Sequence, residues 1–401
     1  MNSTAPRVAL IGANGHGRWH RRVIGALHRT GQVRLVGLCD LAPITDLPEA
    51  PVPPGAGVFD DYRDLLTVTG PDVVVICTPP HTHLELAVAA ARAGADLLLE
   101  KPPLPSLTAH ARLVSVLAST GRVCQVGFQA LGSAAFGRLT GAVTAGRLGR
   151  VTGIGVAGAW QRPDSYYRRA PWAGRRWLAG APVVDGVLVN PFAHAVMLAL
   201  AVAEAATGEP FAITELELEL YRARPIEVDD TAGMRFRAGP DLPVVVAATL
   251  CGDERLAGTL TVHTEQGRAE LEYTTDWLRL PGERRAREVP GRTGLLENLF
   301  AHRAAPEAVR LLVPLERTRP FTWLVEQVMA APEPVAVDPA FQVVSGEGGD
   351  RVVTVVGATG LVRRAAERLA LLRELGDGPA TGWLPCRTAT NMQTGTELAQ
   401  D

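Results

Sequence analysis

The sequence predicts an α/β chain, with a doubly wound parallel sheet first and then an α+β domain built on a largely antiparallel sheet. Three observations predict it. From Arg7 to Gln125, short continuous apolar runs bounded by turn residues alternate with helical stretches, the order parallel strands need because each pair is joined by a crossover. After Phe128 the pattern turns to strict alternation, as in Glu215-Leu216-Glu217-Leu218-Glu219-Leu220, which predicts strands with one buried and one wet face. The length of 401 residues fits two or three domains at about 100–200 residues each.

In order, Val8 to Ile11, Leu35 to Cys39, Val73 to Cys77, Leu97 to Leu99 and Val123 to Val126 read as buried strands. His16 to Thr30, Tyr62 to Val68, Leu84 to Ala93 and Ala109 to Ser119 read as the helices between them. A helix near Phe136 to Ala145 then leads into a strand from Val151 to Trp160, an aromatic loop, and a helix from Pro191 to about Ala205. Hairpin-spaced strands follow at Thr214 to Tyr221, Thr231 to Arg237, Val244 to Leu250, Gly258 to His263 and Ala269 to Tyr273. A helix at Phe321 to Met329 and a strand and helix within Val352 to Leu375 complete the pattern. The expected domains are 1–128, 129–345 and a C-terminal extension, 346–401. The Thr-rich end of that extension, from Gly376, is weakly patterned and expected to be partly disordered.

Composition narrows the function classes. A net charge of -2 lacks the basic excess of a nucleic-acid binder, and no run approaches the roughly 20 apolar residues of a membrane span. The N-terminus has no export-signal pattern. Five scattered cysteines, Cys39, Cys77, Cys124, Cys251 and Cys386, indicate neither a disulfide framework nor a metal site. A cytoplasmic protein without nucleic-acid or membrane partners is expected. Of 40 basic residues only Lys101 is lysine. A GC-rich codon bias explains the arginines but not why position 101 was spared. An ammonium gives up a proton when its site lowers the pKa, which guanidinium does not, so Lys101 is a candidate for chemistry.

The first strand runs into Gly12-Ala13-Asn14-Gly15-His16-Gly17, where a glycine-rich turn and a helix N-terminus suit a pyrophosphate. Asn14 replaces the second glycine and is a residue type that tolerates left-handed backbone. The second strand ends in Asp40, 23 residues after Gly17. An acidic side chain there accepts from ribose hydroxyls and repels a 2′-phosphate, favouring NAD over NADP; a plain turn residue is the alternative. The third and fourth strands end in Thr78-Pro79-Pro80-His81-Thr82-His83 and Glu100-Lys101-Pro102, at the strand ends where such sheets bind ligands.

With these residues in place, the chain resembles the Gfo/Idh/MocA family of NAD(P)-dependent oxidoreductases over about residues 7–345. The resemblance implies a Rossmann domain, Lys101 as the catalytic lysine beside the nicotinamide, and Pro102, often after a cis peptide, shaping its backbone. It places Gly12, Asn14, Gly15, His16, Gly17, Asp40, Thr78, Pro79, His83, Glu100, Lys101 and Gln129 around NAD. His81 and His83 are equally readable as helix-terminus residues. The family's second signature, D-x-x-x-H, appears as Asn190-Pro191-Phe192-Ala193-His194. Asn190 and Pro191 suit an N-cap and first helical position. His194 in the first turn is then a candidate general base, since a helix N-terminus disfavours imidazolium; a structural histidine is the alternative. Asparagine holds no charge, so a His-carboxylate pairing needs Asp185, which otherwise reads as a turn residue.

Between Trp160 and Trp177, five of the chain's 12 Trp and Tyr residues occupy 18 positions. Trp160, Tyr166, Tyr167, Trp172, Arg176 and Trp177 suit a sugar-like substrate, by ring stacking and anion-binding forks, and equally a subunit interface. The function implied is an NAD-dependent oxidoreductase acting on a secondary alcohol or ketone of a sugar, cyclitol or related intermediate. Alternatives are a redox-assisted lyase or glycosidase with recycled NAD, and a non-catalytic sensor. Strand Val244 to Leu250 is too apolar for a wet face, and with the family's pairing of sheets this implies a homodimer or a tetramer of dimers. If Val352 to Leu375 folds back over that face, the chain stays monomeric.

Overall fold

A computed structural model of the chain describes residues 5–183, 185–208, 212–376, 387–389 and 392. It divides into two compact units, Met1–Phe128 with Gly294–Thr322, and Gln129–Thr293 with Trp323–Asp401.

In the first unit β1 (Arg7–Ile11), β2 (Arg34–Cys39), β3 (Gly57–Phe59), β4 (Val73–Ile76), β5 (Asp96–Leu99) and β6 (Cys124–Val126) form one sheet in the order β3-β2-β1-β4-β5-β6. All pairings are parallel, and β1 and β4 are fully apolar and buried except at Arg7. The crossovers are α1 (Gly17–Arg29), α2 (Tyr62–Thr69), α3 (His83–Arg92) and α4 (Leu107–Thr120). Side-chain caps start two of them, with Asp61 accepting from Arg63 N–H and Ser106 from Ala109 N–H, satisfying donors that a helix start leaves open. The strand order reverses between β1 and β4, which puts Gly12 and Cys77-Thr78 side by side at a ligand-binding position for this sheet type.

The segment 294–322 lies with this unit, whereas the sequence placed it in the second domain. Buried Gln125, in β6, explains the attachment: its amide donates to Asn298 Oδ1 (2.6 Å) and Leu295 O (3.2 Å) and accepts from Val313 N–H (2.8 Å). Phe128 packs edge-on against Phe321 at 4.9 Å between ring centroids.

The second unit holds α5 (Ala134–Thr144), β7 (Val151–Gln161), the short turn α6 (Asp164–Tyr167), the small hairpin β8 (Trp177–Leu178) and β9 (Ala181–Pro182), and α7 (Ala193–Thr207). Then come β10 (Ile213–Arg222), β11 (Thr231–Ala238), β12 (Leu242–Thr249), β13 (Cys251–Thr264), β14 (Gly267–Glu272), β15 (Trp277–Arg279) and β16 (Arg287–Glu288). After α8 (Leu295–Ala304) of the first unit follow α9 (Arg319–Ala330), β17 (Val335–Ala336), β18 (Gln342–Ser345), β19 (Val352–Val355), α10 (Ala358–Arg368) and β20 (Arg387–Ala389). Ten strands join one sheet, β16-β15-β14-β13-β7-β12-β11-β10-β17 with β20 also on β10. Within this sheet, among the described residues, only β12 with β7 and β10 with β17 pair in parallel.

Two expectations are corrected here. Both faces of this sheet are covered at β7. On β7, a Cβ at Gly153 or Gly155 would collide with Leu369 or the Ala366 carbonyl, beside α10, whereas one at Gly158, of opposite parity, would collide with Phe192 at the start of α7. Ala159, Ala247, Cys251, Val355, Ala358, Leu361, Val362, Ala365 and Leu372 form one buried cluster. The apolar strand near Val244 is therefore covered within the chain, and the premise for a dimer through that face falls away. The expected wet face of β10 is also partly closed: Glu219 is buried and accepts from Leu372 N–H (2.7 Å) and Arg373 N–H (3.2 Å). The expected disorder from Gly376 onward falls largely outside the described residues. No helix among the described residues is long and apolar enough to cross a membrane.

Candidate active site

The cofactor-side residues converge at the C-terminal ends of β1, β2, β4 and β5. Gly12 has φ +87°, and a Cβ there would press on the Cys77 carbonyl; Gly17 has no room for one against the Gly12 carbonyl. Gly15, at φ +54°, has nothing within 4 Å of where its Cβ would stand. The turn is thus packed below and open above, with the N-terminus of α1 behind it, which fits a pyrophosphate. Asn14 does not take the left-handed backbone allowed for it; among the described residues the positive φ of this turn falls on Gly12 and Gly15. Its side chain instead accepts from Thr45 N–H (3.0 Å) and donates to Pro43 O (3.2 Å), while Asp40 Oδ2 accepts from Asn14 N–H (2.9 Å) and Oδ1 from Ala42 N–H (3.1 Å). Asp40 is therefore oriented at the end of β2, beside Leu41, which is 95% exposed.

Glu100 is buried at the end of β5. Its Oε1 lies 2.9 Å from His20 Nε2, and its Oε2 accepts from Lys101 N–H (3.1 Å). Burial opposes ionisation, but the hydrogen bond and charge of His20, with His16 and Lys101 nearby, hold the carboxyl at about 2. Gly127 is required against it, since a Cβ would stand 2.9 Å from the carboxyl. The Lys101–Pro102 peptide is cis. His83 is fully buried between Thr78 O (2.8 Å) and Pro103 O (3.0 Å), so it braces the two strand-end turns from inside, and burial lowers its pKa. Thr78 Oγ1 pairs with Thr82 Oγ1 at 2.7 Å, and Pro79 precedes the short turn Pro80–Thr82. His16, His20 and Glu100 present ligand atoms within 4.8 Å of one another, so this cluster has the composition of a metal site. The 2.9 Å contact of His20 with Glu100 joins the two side chains as a buried hydrogen-bonded brace.

Sequence reasoning missed His20. The signal was present: Gly17, His20, Arg21 and Ile24 form a buried i, i+3, i+4, i+7 face of α1, and a histidine on such a face needs a polar partner.

In the second unit α7 begins at Ala193, not Pro191, and Phe192 stands at the cap without a side-chain bond. Asn190 lies ahead of the cap, and its Nδ2 donates to Asp185 Oδ1 at 2.9 Å. Asp185 is buried and its Oδ2 accepts from Gly174 N–H at 2.8 Å. His194 keeps its expected place in the first helical turn. Gln129 sits partly buried at the start of a 3-10 turn, Gln129–Gly132.

The aromatic loop splits. Trp160 packs on Phe192 at 4.2 Å between centroids and donates from Nε1 to Ala257 O (3.0 Å). Arg162 lies over Trp160 and Tyr166, and Arg169 over Tyr166 and Trp172, making one layered stack. Tyr167 is packed under Arg224, and burial drives its hydroxyl pKa up. Arg176 is not placed as a substrate fork: its guanidinium donates to Ala331 O (2.6 Å) and Pro332 O (2.9 Å). Trp177 points outward from β8, 54% exposed.

Comparison with known proteins agrees with this geometry. Residues 6–128 match the family model GFO_IDH_MocA, described as an oxidoreductase family with an NAD-binding Rossmann fold. The chain is 35% identical over 104 residues to the D-glucoside 3-dehydrogenase of Escherichia coli, spanning 26% of this chain and 29% of that one. It is 33% identical over 156 residues to inositol 2-dehydrogenase 4 of Saccharopolyspora erythraea, spanning 37% and 44%. The chain thus matches less than half the length of either relative. The crystal structure of the WlbA dehydrogenase from Chromobacterium violaceum, in complex with NADH and UDP-GlcNAcA, superposes with a TM-score of 0.67 at 19% identity, covering 81% of this chain and 94% of that one. That likeness is one of fold. With its glycine turn, Asp40 and the Glu100-Lys101-Pro102 strand end, the segment 6–128 is similar to the NAD-binding Rossmann domain of the Gfo/Idh/MocA oxidoreductase family.

Proposed function

We propose that the protein is an NAD-dependent dehydrogenase that moves a hydride between the nicotinamide and a secondary alcohol or ketone of a sugar or cyclitol. The observation that carries this reading is the chain's one lysine standing at the end of β5, directly after a carboxylate held ionised by His20. The names of the relatives, a glucoside dehydrogenase and an inositol dehydrogenase, support a ring polyol as substrate.

Bound NAD supplies the hydride acceptor for oxidation. Asp40 accepts from the ribose hydroxyls and disfavours a 2′-phosphate. Lys101 hydrogen-bonds the reacting oxygen and helps transfer its proton, lowering the cost of the charge that develops as the proton leaves. His194 takes that proton, and a neutral imidazole at a helix N-terminus suits the role. Asn190 orients the ring by a neighbouring hydroxyl, and the Trp160, Tyr166 and Trp172 stack with its arginines offers sugar-binding faces. The reverse sequence reduces the ketone, since groups that remove a proton also return it.

The test is to mix the purified protein with NAD and, separately, myo-inositol, scyllo-inositol and methyl glucosides, following NADH absorbance and product together. NADH and ketone forming in equal amounts is the expected result. Product without NADH would instead indicate an elimination with recycled NAD.

A further inference from the structure

Resting on the reading of Asn190 as a substrate-facing residue, we propose that Asp185 is a positioning residue. It fixes the Asn190 amide with its carbonyl oxygen turned toward the substrate, so that this position recognises a ring hydroxyl as a hydrogen-bond donor. Donor and acceptor matching leads to this. An ionised carboxylate only accepts. Asp185 Oδ2 accepts from the Gly174 backbone N–H at 2.8 Å and Oδ1 from Asn190 Nδ2 at 2.9 Å. The donating arm of the amide is thereby fixed toward Asp185, and the accepting arm, Oδ1, lies on the other side of Cγ. A carbonyl oxygen has two lone pairs, enough for a substrate hydroxyl beside any bond it makes within the chain.

The surroundings hold this arrangement in place. Asn190 N–H donates to Gly186 O at 3.1 Å. Gly186 sits so close to Asp229 that a Cβ would stand 2.6 Å from Oδ1, and Asp229 Oδ2 accepts from Val187 N–H at 2.8 Å. Gly174 is fixed in turn by Glu227 N–H, which donates to its carbonyl at 2.8 Å. Tyr166 is near enough for the Asp185 charge to add to burial in raising its hydroxyl pKa. The consequence is a division of labour. The acceptor of an aspartate stands at position 190 while the negative charge sits one side chain behind it, so Asn190 orients without taking a proton, leaving that step to His194.

The arrangement predicts an inversion. In D185N the Gly174 N–H cannot turn, so the amide introduced by the substitution must give it the oxygen and present its NH2 to Asn190. The Asn190 amide then rotates and offers its own NH2 to the substrate. In the double variant D185N/N190D a donor at position 185 again faces an acceptor at position 190, and the outward atom is again an oxygen. The chain has five asparagines, so selective 15N-asparagine labelling gives a readable side-chain amide spectrum, the Asn190 pair being the one that N190D removes.

The expected result is that D185N displaces the Asn190 amide pair while those of Asn14 and Asn298 stay in place. On the inositols or glucosides kcat/KM falls about tenfold or more, the scale of a charge-assisted hydrogen bond, and recovers to within a few-fold in the double variant. NAD affinity by calorimetry is unchanged throughout. An unmoved Asn190 pair in D185N, or a double variant as impaired as the two single variants combined, would overturn the proposal. If D185N does not fold, N190A carries the kinetic arm, with the same loss expected and near-normal kcat/KM overturning the proposal. If the wild type turns over none of these compounds, the functional reading fails by itself, and the amide spectrum still decides the role of Asp185.

Discussion

His20 Nε2 stands 2.9 Å from Glu100 Oε1, tying the first turn of α1, just behind the glycine loop, to the strand end that carries Lys101. Both side chains are buried. The same carboxylate accepts from Lys101 N–H, so one group braces the cofactor-side turn and the backbone of Lys101 together. Removing one partner leaves the other buried without its match, which costs more than the pair contributes when intact.

Glu100→Gln and His20→Ala are therefore each expected to lower the unfolding free energy by about 2–4 kcal/mol, measured by urea unfolding at pH 7. The folded value of the Glu100 carboxyl lies below its ordinary 4.5, at about 2. Its contribution is present above pH 4.5 and is lost as pH falls toward 2. The E100Q protein should thus lose less of its stability between pH 4.5 and pH 2.5 than the wild type does; parallel curves would contradict the assignment.

Asp229 behaves in the opposite sense. Burial raises its carboxyl from 3.8 to about 7, against the hydrogen bond from Val187 N–H and the charge of Arg176. A raised value in the folded state means stability that is full below pH 3.8 and lost as pH rises through 7. Burial raises Glu219 similarly, to about 7. Tm should fall between pH 5 and pH 8, and Asp229→Asn should reduce that fall while Glu219 retains the rest. An identical slope in wild type and variant would show that Asp229 is ionised throughout.

The proposed role of Asp40 is to set the cofactor preference. Its carboxylate is oriented by Asn14 and Ala42 N–H, and a 2′-phosphate placed against it would be a like-charge contact with no cation from Leu41 or Ala42 to relieve it. Calorimetry should give at least a hundredfold tighter binding of NAD than of NADP, about 2.7 kcal/mol, and Asp40→Ala should erase most of the difference. Equal affinities in the wild type would refute this role.

The segment that covers the ten-stranded sheet should control assembly. Full-length chain is expected to scatter light as a single chain of 42.6 kDa, because α10 occupies the face that would otherwise meet a partner. A chain ending at Ser345 lacks α10 and exposes Ala159 and Ala247, and it should associate. A full-length dimer that persists unchanged in the truncated form would place the interface on a different surface.

Much of the first unit was legible in the sequence, for a physical reason. Buried parallel strands such as Val73–Ile76 are continuous apolar runs, and turns such as Gly12–Gly17 carry their requirement in the residue type. The three-residue strand Gly57–Phe59 lacks any period and was invisible. In the second unit the alternation of β10 was read correctly as a strand, yet the alternate glutamates gave no hint that Glu219 would be buried under Leu372 and Arg373, since that cover lies 153 residues further along the chain. Lys101, Asp40 and His194 stood out as candidates because their types and positions are themselves chemical signals. His20 was missed because its partner, Glu100, is 80 residues away. The expected cap at Asn190 failed because α7 starts later than the residue types suggest, at Ala193, with Phe192 at the cap position.

In the proposed reaction Lys101 is the group that acts on the reacting oxygen during NAD-dependent hydride transfer. The decisive comparison sets wild type against Lys101→Arg, which keeps the positive charge but not the ability to pass a proton, in a single-turnover experiment with NAD and an inositol or glucoside that the wild type oxidises. The expected result is NAD affinity within a few-fold of wild type and a hydride-transfer rate lower by about 1000-fold, some 4 kcal/mol of barrier. Near-normal transfer in K101R would refute the assignment, leaving the chain's one lysine without a catalytic role.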